Sequence, residues 1–281
     1  MRWSLRLILS AVFLLSIPLF LVTRHFADIW DQYSISSYIT ASWQNTFRHG
    51  TVENIPAFDG QPGDKVIIMA KLEKENTDWV TDELPDWQAA IYTVNPTPNT
   101  LTSNLTTPLN KGHEAMAYLT YIIDNYSHLP FTLAFLHSHR SGFLPAWHTD
   151  TPLHSNVDSL RTLQLPFVQQ SGYVNLRCNW NPGCLEAHRT NKHVTKAVWE
   201  DVWRGTSTEG KGWRGDGMVG QACCAQFAVS REQVLKRPRG DYERLRGWIV
   251  ETEKSDALSG RVMEFFCPPE DQCYCNVYGR C

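Results

Sequence analysis

The chain has 281 residues, of which 42% are hydrophobic and 20% charged, with a formal net charge of −3 at pH 7. This supplies a sizeable core and too little charge for a disordered chain, and the near-neutral balance gives no electrostatic footprint for nucleic acid or another polyanion. No Gly/Ser or Pro linker divides the sequence after about residue 60, so one large domain is the simplest organisation.

At the amino terminus, Arg2 and Arg6 precede the apolar residues 7–22 (LILSAVFLLSIPLFLV), and Arg24, His25 and Asp28 return the chain to water. The stretch is close to the ~20 residues that cross a bilayer and longer than most signal-peptide cores. The following LVTRHFAD offers no small-x-small cleavage site, which favours an uncleaved, single-pass type II signal anchor over a cleaved signal peptide. Either outcome delivers residues 26–281 to the lumen of the endoplasmic reticulum or Golgi. Residues 1–25 are therefore expected to be a cytosolic tip and transmembrane helix. Residues 26–62, polar with scattered aromatics and no long period, are expected to be a stem, and 63–281 a lumenal domain.

All eight cysteines (Cys178, Cys184, Cys223, Cys224, Cys267, Cys273, Cys275 and Cys281) lie on that side. An even number in an oxidising compartment predicts disulfides. Spacing does not fix their connectivity, although the turn signal Asn181-Pro182-Gly183 is able to bring Cys178 and Cys184 together. A zinc ribbon is a poor match, since Cys273 and Cys275 are separated by a single residue and no second pair has the two-residue spacing. Asn104 (NLT) and Asn125 (NYS) are glycosylation acceptors where exposed.

Within the domain, residues 66–70 (VIIMA) predict a strand covered on both faces, ENTDWVTDEL a short helix stopped by Leu84-Pro85, and residues 89–94 (AAIYTV) a second strand. Over residues 112–126, Ala115, Tyr118, Leu119, Ile122 and Ile123 share one stripe at helical spacing. A third strand, residues 131–136 (FTLAFL), follows. This alternation predicts an α/β domain with a mainly parallel central sheet.

The third strand runs into HSHRSGFLPAWHTD, and in parallel sheets ligands gather beyond the carboxyl ends of strands. If extended backbone continues, the period of two puts His137 and His139 on one side. Neutral imidazole is a ligand for manganese or zinc, with Asp150 or His148 able to complete a site, and Arg140 suits a phosphate or carboxylate. Two alternatives stand beside the metal: a substrate-facing role without one, and plain hydrogen bonding or stacking next to Pro145 and Trp147. His154 needs no functional role. Asp158, Arg161 and Gln164 form a solvated helix face opposite Leu160, Leu163 and Leu165.

Further along, Trp199 and Trp203 stand four apart on one helical face, as packing or as a sugar-binding platform. RGTSTEGKGWRGDGMVG is Gly-rich, with Arg204, Lys211 and Arg214, but lacks a phosphate-loop spacing and is expected to be a surface loop. In ACCAQFAVSREQVL, residues 225–229 predict a buried strand and Ser230 the cap of a helix opened by Arg231 and Glu232. Gln226 within that run either faces a ligand or satisfies backbone.

HSHRSGFLPAWHTD, YVNLRCNWNPGC, ACCAQFAVSREQVL, SGRVMEFF and the tail CPPEDQCYCNVYGRC together resemble the successive blocks of a large fungal secretory-pathway family, domain of unknown function 3431, from roughly residue 64 to the C-terminus. Its blocks are similar to those of glycosyltransferases with a nucleotide-sugar-binding α/β domain (glycosyltransferase A-like), many of them Golgi proteins with one N-terminal anchor. The resemblance implies transfer of a sugar from a nucleotide donor, with His137-x-His139 in the slot where that class carries a metal-holding Asp-x-Asp. It also implies a carboxylate to deprotonate the acceptor hydroxyl, for which Glu264, Asp216 and Asp150 are candidates, and His148 joins them at the reacting end. His137, His139, Arg140, Trp147 and Gln226 are the expected donor-binding residues. The family's pattern continues after the SGRV-x-E-aromatic block with Trp-His and an apolar aromatic stretch, whereas this chain passes from Phe266 directly to Cys267, which weighs against activity in this copy. A metal-dependent hydrolase using the same histidines, and a non-catalytic lumenal binding protein, are the competing expectations.

Overall fold

The computed structural model describes residues 2–47, 64–96, 105–184, 223–256 and 270–280. The three apolar runs form strands β1 (Lys65–Lys71), β2 (Gln88–Thr93) and β3 (Thr132–His137), and the run before Ser230 forms β5 (Phe227–Ser230), with β4 (Tyr173–Asn175) beside it. The order across the sheet is β2-β1-β3-β5-β4. β1 pairs in parallel with β2 and β3, while β5 pairs antiparallel with both β3 and β4. Four strands therefore point one way and β5 the other. The sheet is thus mixed, mostly parallel as expected in its core of β2, β1 and β3, with β5 reversed. Nothing in an apolar run of four residues encodes its direction, so the sequence pattern could not separate the two.

Both faces of the sheet are covered, which is why its strands are continuous apolar runs. Side chains alternate: Val66, Ile68, Leu133, Phe135, Phe227 and Val229 belong to one core, and Ile67, Met69, Ala134, Leu136 and Ala228 to the other. The first core is closed by α4 (Glu114–Asp124), buried on every side, and by the helix Arg239–Glu251, termed α8 here. The second is closed by α3 (Trp79–Glu83), α5 (Asn156–Thr162), α6 (Leu165–Ser171) and a C-terminal helix, Glu270–Tyr278, termed α9. Leu160, Leu163 and Leu165 are buried there, as their spacing predicts. The short α7 (Arg231–Leu235) starts at Ser230, whose hydroxyl accepts from the Gln233 amide as a helix cap.

The amino-terminal apolar run is part of α1 (Arg2–Gln32), followed by α2 (Ile35–Phe47). Over Phe13–Gln32, α1 is long and apolar enough to cross a membrane, and none of that window is buried in the protein. Length and composition fit an anchor and a signal sequence alike. The first part of the expected stem is largely helical as far as Phe47, and it is attached to the domain between Asp28 and Tyr38. Arg177 donates to the Gln32 carbonyl (3.0 Å), Asn179 to that of Asp31 (3.0 Å), and Asn181 to the Asp28 carboxylate (2.9 Å). Of the scattered aromatics, Tyr33 and Tyr38 join this contact.

The cysteines do not pair as the turn at Asn181-Pro182 suggested. Cys178 is bonded to Cys273 across a sequence separation of 95, and Cys223 to its neighbour Cys224. Cys184 and Cys275 are also disulfide-bonded. The first bridge ties the segment after β4 to α9, and it forms because both cysteines are buried in the core that α9 closes. Cys267 and Cys281 lie outside the described residues.

Candidate functional site

The carboxyl ends of β1, β3 and β4 share one edge of the sheet, and the reversed β5 begins at that edge. The start of α4, which follows β2, arrives there too. Between β1 and β3 the chain departs in opposite directions, to β2 on one side and toward β5 on the other, and this is where open α/β sheets leave a crevice for ligands.

His137, the last residue of β3, occupies that place. By alternation it lies on the α4 face with Leu133 and Phe135, and it meets Glu114, the first residue of α4. Its Nδ1 is 3.5 Å from Glu114 Oε1, and its Nε2 lies 2.7 Å from the carbonyl oxygen of Cys224. A carbonyl only accepts, so Nε2 carries the proton and donates. The imidazole is thus held at Nε2 while Nδ1 faces the Glu114 carboxylate, with side-chain exposures of 19% for His137 and 25% for Glu114 leaving the pair within reach of solvent. His148 packs against His137 with ring centroids 4.3 Å apart. It is buried, its Nε2 has no hydrogen-bond partner among the described residues, and burial, then the neighbouring His137, push its pKa well below the ordinary histidine value.

The backbone around this pair is strained. His113 has φ 48°, Cys224 φ 82° and Ala225 φ 44°, a left-handed region that costs a non-glycine residue about 1–3 kcal/mol. These residues place Glu114 and the Cys224 carbonyl on either side of one imidazole.

A buried polar relay sets the loop after β3. Gln226 accepts from the His137 amide (2.9 Å) and donates to Thr149 Oγ1 (3.2 Å). Thr149 donates to Asn156 (2.9 Å), whose side-chain amide donates to the His139 carbonyl (2.7 Å). Gln226 therefore satisfies backbone, one of its two expected roles. His139 is half-buried, and it joins His137 among the charges acting on His148.

Other sequence candidates are engaged elsewhere. Asp150 accepts from the amides of Cys178 and Asn179 (2.7 Å), from Arg177 (3.3 Å) and from the Tyr274 hydroxyl (3.2 Å). Arg177 is fully buried; it also donates to the Trp147 (3.2 Å) and Asn181 (2.8 Å) carbonyls and lies over the Trp147 ring. The carboxylate is turned to these buried donors, so Asp150 is a structural hub, and Trp147 packs on its partner Arg177. Arg140 forms a two-pronged pair with Glu83, one bond at 2.8 Å, and this holds Glu83 below the usual carboxylate range. Among the described residues no group of three or more His, Cys, Asp or Glu is placed to hold a metal. The expected set His137, His139 and Asp150 is not brought together, because Asp150 turns to the segment after β4. Asn125 donates its side-chain amide to Tyr121 O (2.9 Å). Glu264, Asp216, Trp199, Trp203, Arg204, Lys211, Arg214 and Asn104 lie outside the described residues.

Glu114 was not singled out from the sequence, where it opens an apolar helix after Gly112-His113. A carboxylate at a helix start is commonplace; only the crossing of α4 over β3 brings it to a histidine.

Fold and edge site together define a single-domain α/β protein with a mixed sheet. The chain belongs to the family described as Protein of unknown function (DUF3431), whose model matches residues 67–276. No curated protein and no solved structure matches.

Proposed function

We propose that this protein is a glycosyltransferase-like enzyme, single-pass and lumenal in the endoplasmic reticulum or Golgi, that moves a sugar from a nucleotide donor to an acceptor hydroxyl. The observation that carries the reading is the His137–Glu114 pair at the switch point of the sheet, flanked by strained backbone at His113 and Cys224. Strain of that kind persists where surrounding structure enforces it, and it clusters at functional sites.

In this reading Glu114 takes the place sought for Asp150, Asp216 or Glu264. It accepts the proton of the acceptor hydroxyl while that oxygen bonds to the anomeric carbon. The bond from that carbon to the diphosphate breaks, and the nucleoside diphosphate leaves with the electron pair. His137 positions the carboxylate, and His139 lines the donor side. The residues present do not fit the expected manganese or zinc. His137 has one nitrogen on a carbonyl and the other facing Glu114, and Asp150 is turned to the segment after β4. No step is assigned to a metal.

The test is thermal unfolding of the full chain in detergent with nucleoside diphosphates and nucleotide sugars, with and without manganese or zinc. A ligand at 100 times its Kd stabilises by about 2.7 kcal/mol, and the shift is expected to vanish in His137→Ala. No shift with any nucleotide contradicts the transferase. Hydrolysis of generic substrates without a nucleotide sugar would then identify the hydrolase, and a partner retained by His137→Ala/His139→Ala the binding protein.

A further inference from the structure

The loop between β3 and α5 carries His148 to the site and Trp147 onto Arg177, and it is pinned to the end of α1. Tyr33 packs on Phe143 at 5.9 Å and on Trp147 at 5.0 Å, centroid to centroid. Tyr38 packs on Phe143 at 5.1 Å and on His154 at 4.9 Å. From the segment after β4, Arg177, Asn179 and Asn181 bind the same helix end through Gln32, Asp31 and Asp28. Two separate segments gripping one helix end fix its direction relative to the domain.

That helix is the one able to cross a membrane. A helix rises about 1.5 Å per residue, so Tyr33 stands roughly 15 Å beyond Val22, where the apolar run ends, and nearer if all of Phe13–Gln32 lies in the bilayer. The headgroup region is about 5–8 Å deep on each side of the hydrocarbon. With the hydrocarbon edge at Val22 the grip therefore stands roughly 8–12 Å beyond the headgroups, and it stands closer if the span runs further along α1. Large apolar side chains are exposed around it: Phe26 at 65% and Trp30 at 50% on α1, and Leu144 at 68% on the pinned loop. Aromatic side chains favour that layer, while the acids at this helix end, Asp28 and Asp31, are turned to Asn181.

We infer that Leu144, Phe26 and Trp30 form one membrane-contacting surface, whose occupant is the headgroup and acyl boundary of the bilayer that α1 enters. The domain then lies against the membrane, held by a docked helix, and the loop that leads to His148 sits at the lipid boundary. The inference rests on the membrane-anchor reading of α1 and is independent of the sugar chemistry.

The test places a photo-crosslinking residue, p-benzoylphenylalanine, at position 17, 144 or 235 of the full chain in liposomes of radiolabelled phosphatidylcholine. Ile17 lies inside the span and Leu144 is the loop tip. Leu235 is exposed at 43%, beyond the opposite edge of the sheet. Lipid adducts are expected at 17, and at 144 at least fivefold above those at 235. Adducts at 17 with no excess at 144 over 235 overturn the membrane-contacting surface and leave the anchor standing. No adduct at 17 overturns the anchor and the inference with it.

Discussion

Glu114 Oε1 lies 3.5 Å from His137 Nδ1, and the two residues reach each other only because α4 begins where β3 ends. Neither side chain is deeply buried, so Glu114→Gln is expected to change stability by less than about 0.5 kcal/mol, as surface substitutions do. Chemical denaturation of the variant beside the parent checks this. A large loss would make Glu114 a structural residue.

Asp150 and Arg177 form a buried ion pair with side-chain exposures of 1% and 0%. Removing one member leaves the other charged and unpaired, at a cost of roughly 3–5 kcal/mol. Asp150→Ala and Arg177→Ala should each lose that much in urea denaturation. Because Arg177 also binds the end of α1, protease cleavage between α1 and α2 should accelerate. Full stability in Asp150→Ala would contradict its role as a hub.

The Cys178–Cys273 bridge joins the segment after β4 to α9 over 95 positions. A crosslink closing so long a loop is worth about 4–5 kcal/mol in the chain-entropy model, and losing a native one typically costs ~2–5 kcal/mol. Cys178→Ser/Cys273→Ser should fall in denaturation midpoint accordingly. Peptide mapping of the unreduced parent should recover the 178–273 linkage, not a 178–184 one.

His148 is buried with its pKa well below the ordinary 6.5, and His154 is lowered as well, in each case chiefly by burial. Below pH 6.5 the unfolded chain binds protons that the native state refuses, so stability is complete above that pH and is lost as pH falls. The slope reaches at most about 1.4 kcal/mol per pH unit for each histidine. His148→Leu, which removes an Nε2 with no partner among the described residues, should flatten the loss between pH 6.5 and 5. An unchanged slope would contradict a neutral, buried His148.

The strands were legible because covered strands are continuous apolar runs, and the Ser230 cap because the residue before a helix carries its own signal. The position of His137 at the end of β3 is legible for the same reason: it ends such a run. Glu114 was not, since its partner comes from the next strand. The partners of Asp150 and Arg140 are not legible, because residue type alone does not say whether a charge is paired with Arg177 or Glu83. The reversal of β5 and the attachment of α1 were hidden for a related reason, as both depend on pairing between distant segments. Tyr33 and Tyr38 show no period because they pack on a loop, not along their own helix.

The central claim is that Glu114, set by His137, accepts a proton during sugar transfer, and it is tested most directly by nucleoside diphosphate release from a nucleotide sugar with water as the acceptor. Glu114→Gln is expected to bind the donor within about twofold of the parent and to lose about 10²–10⁴-fold in release rate. Release at the parental rate by Glu114→Gln, with donor binding intact, would contradict the account.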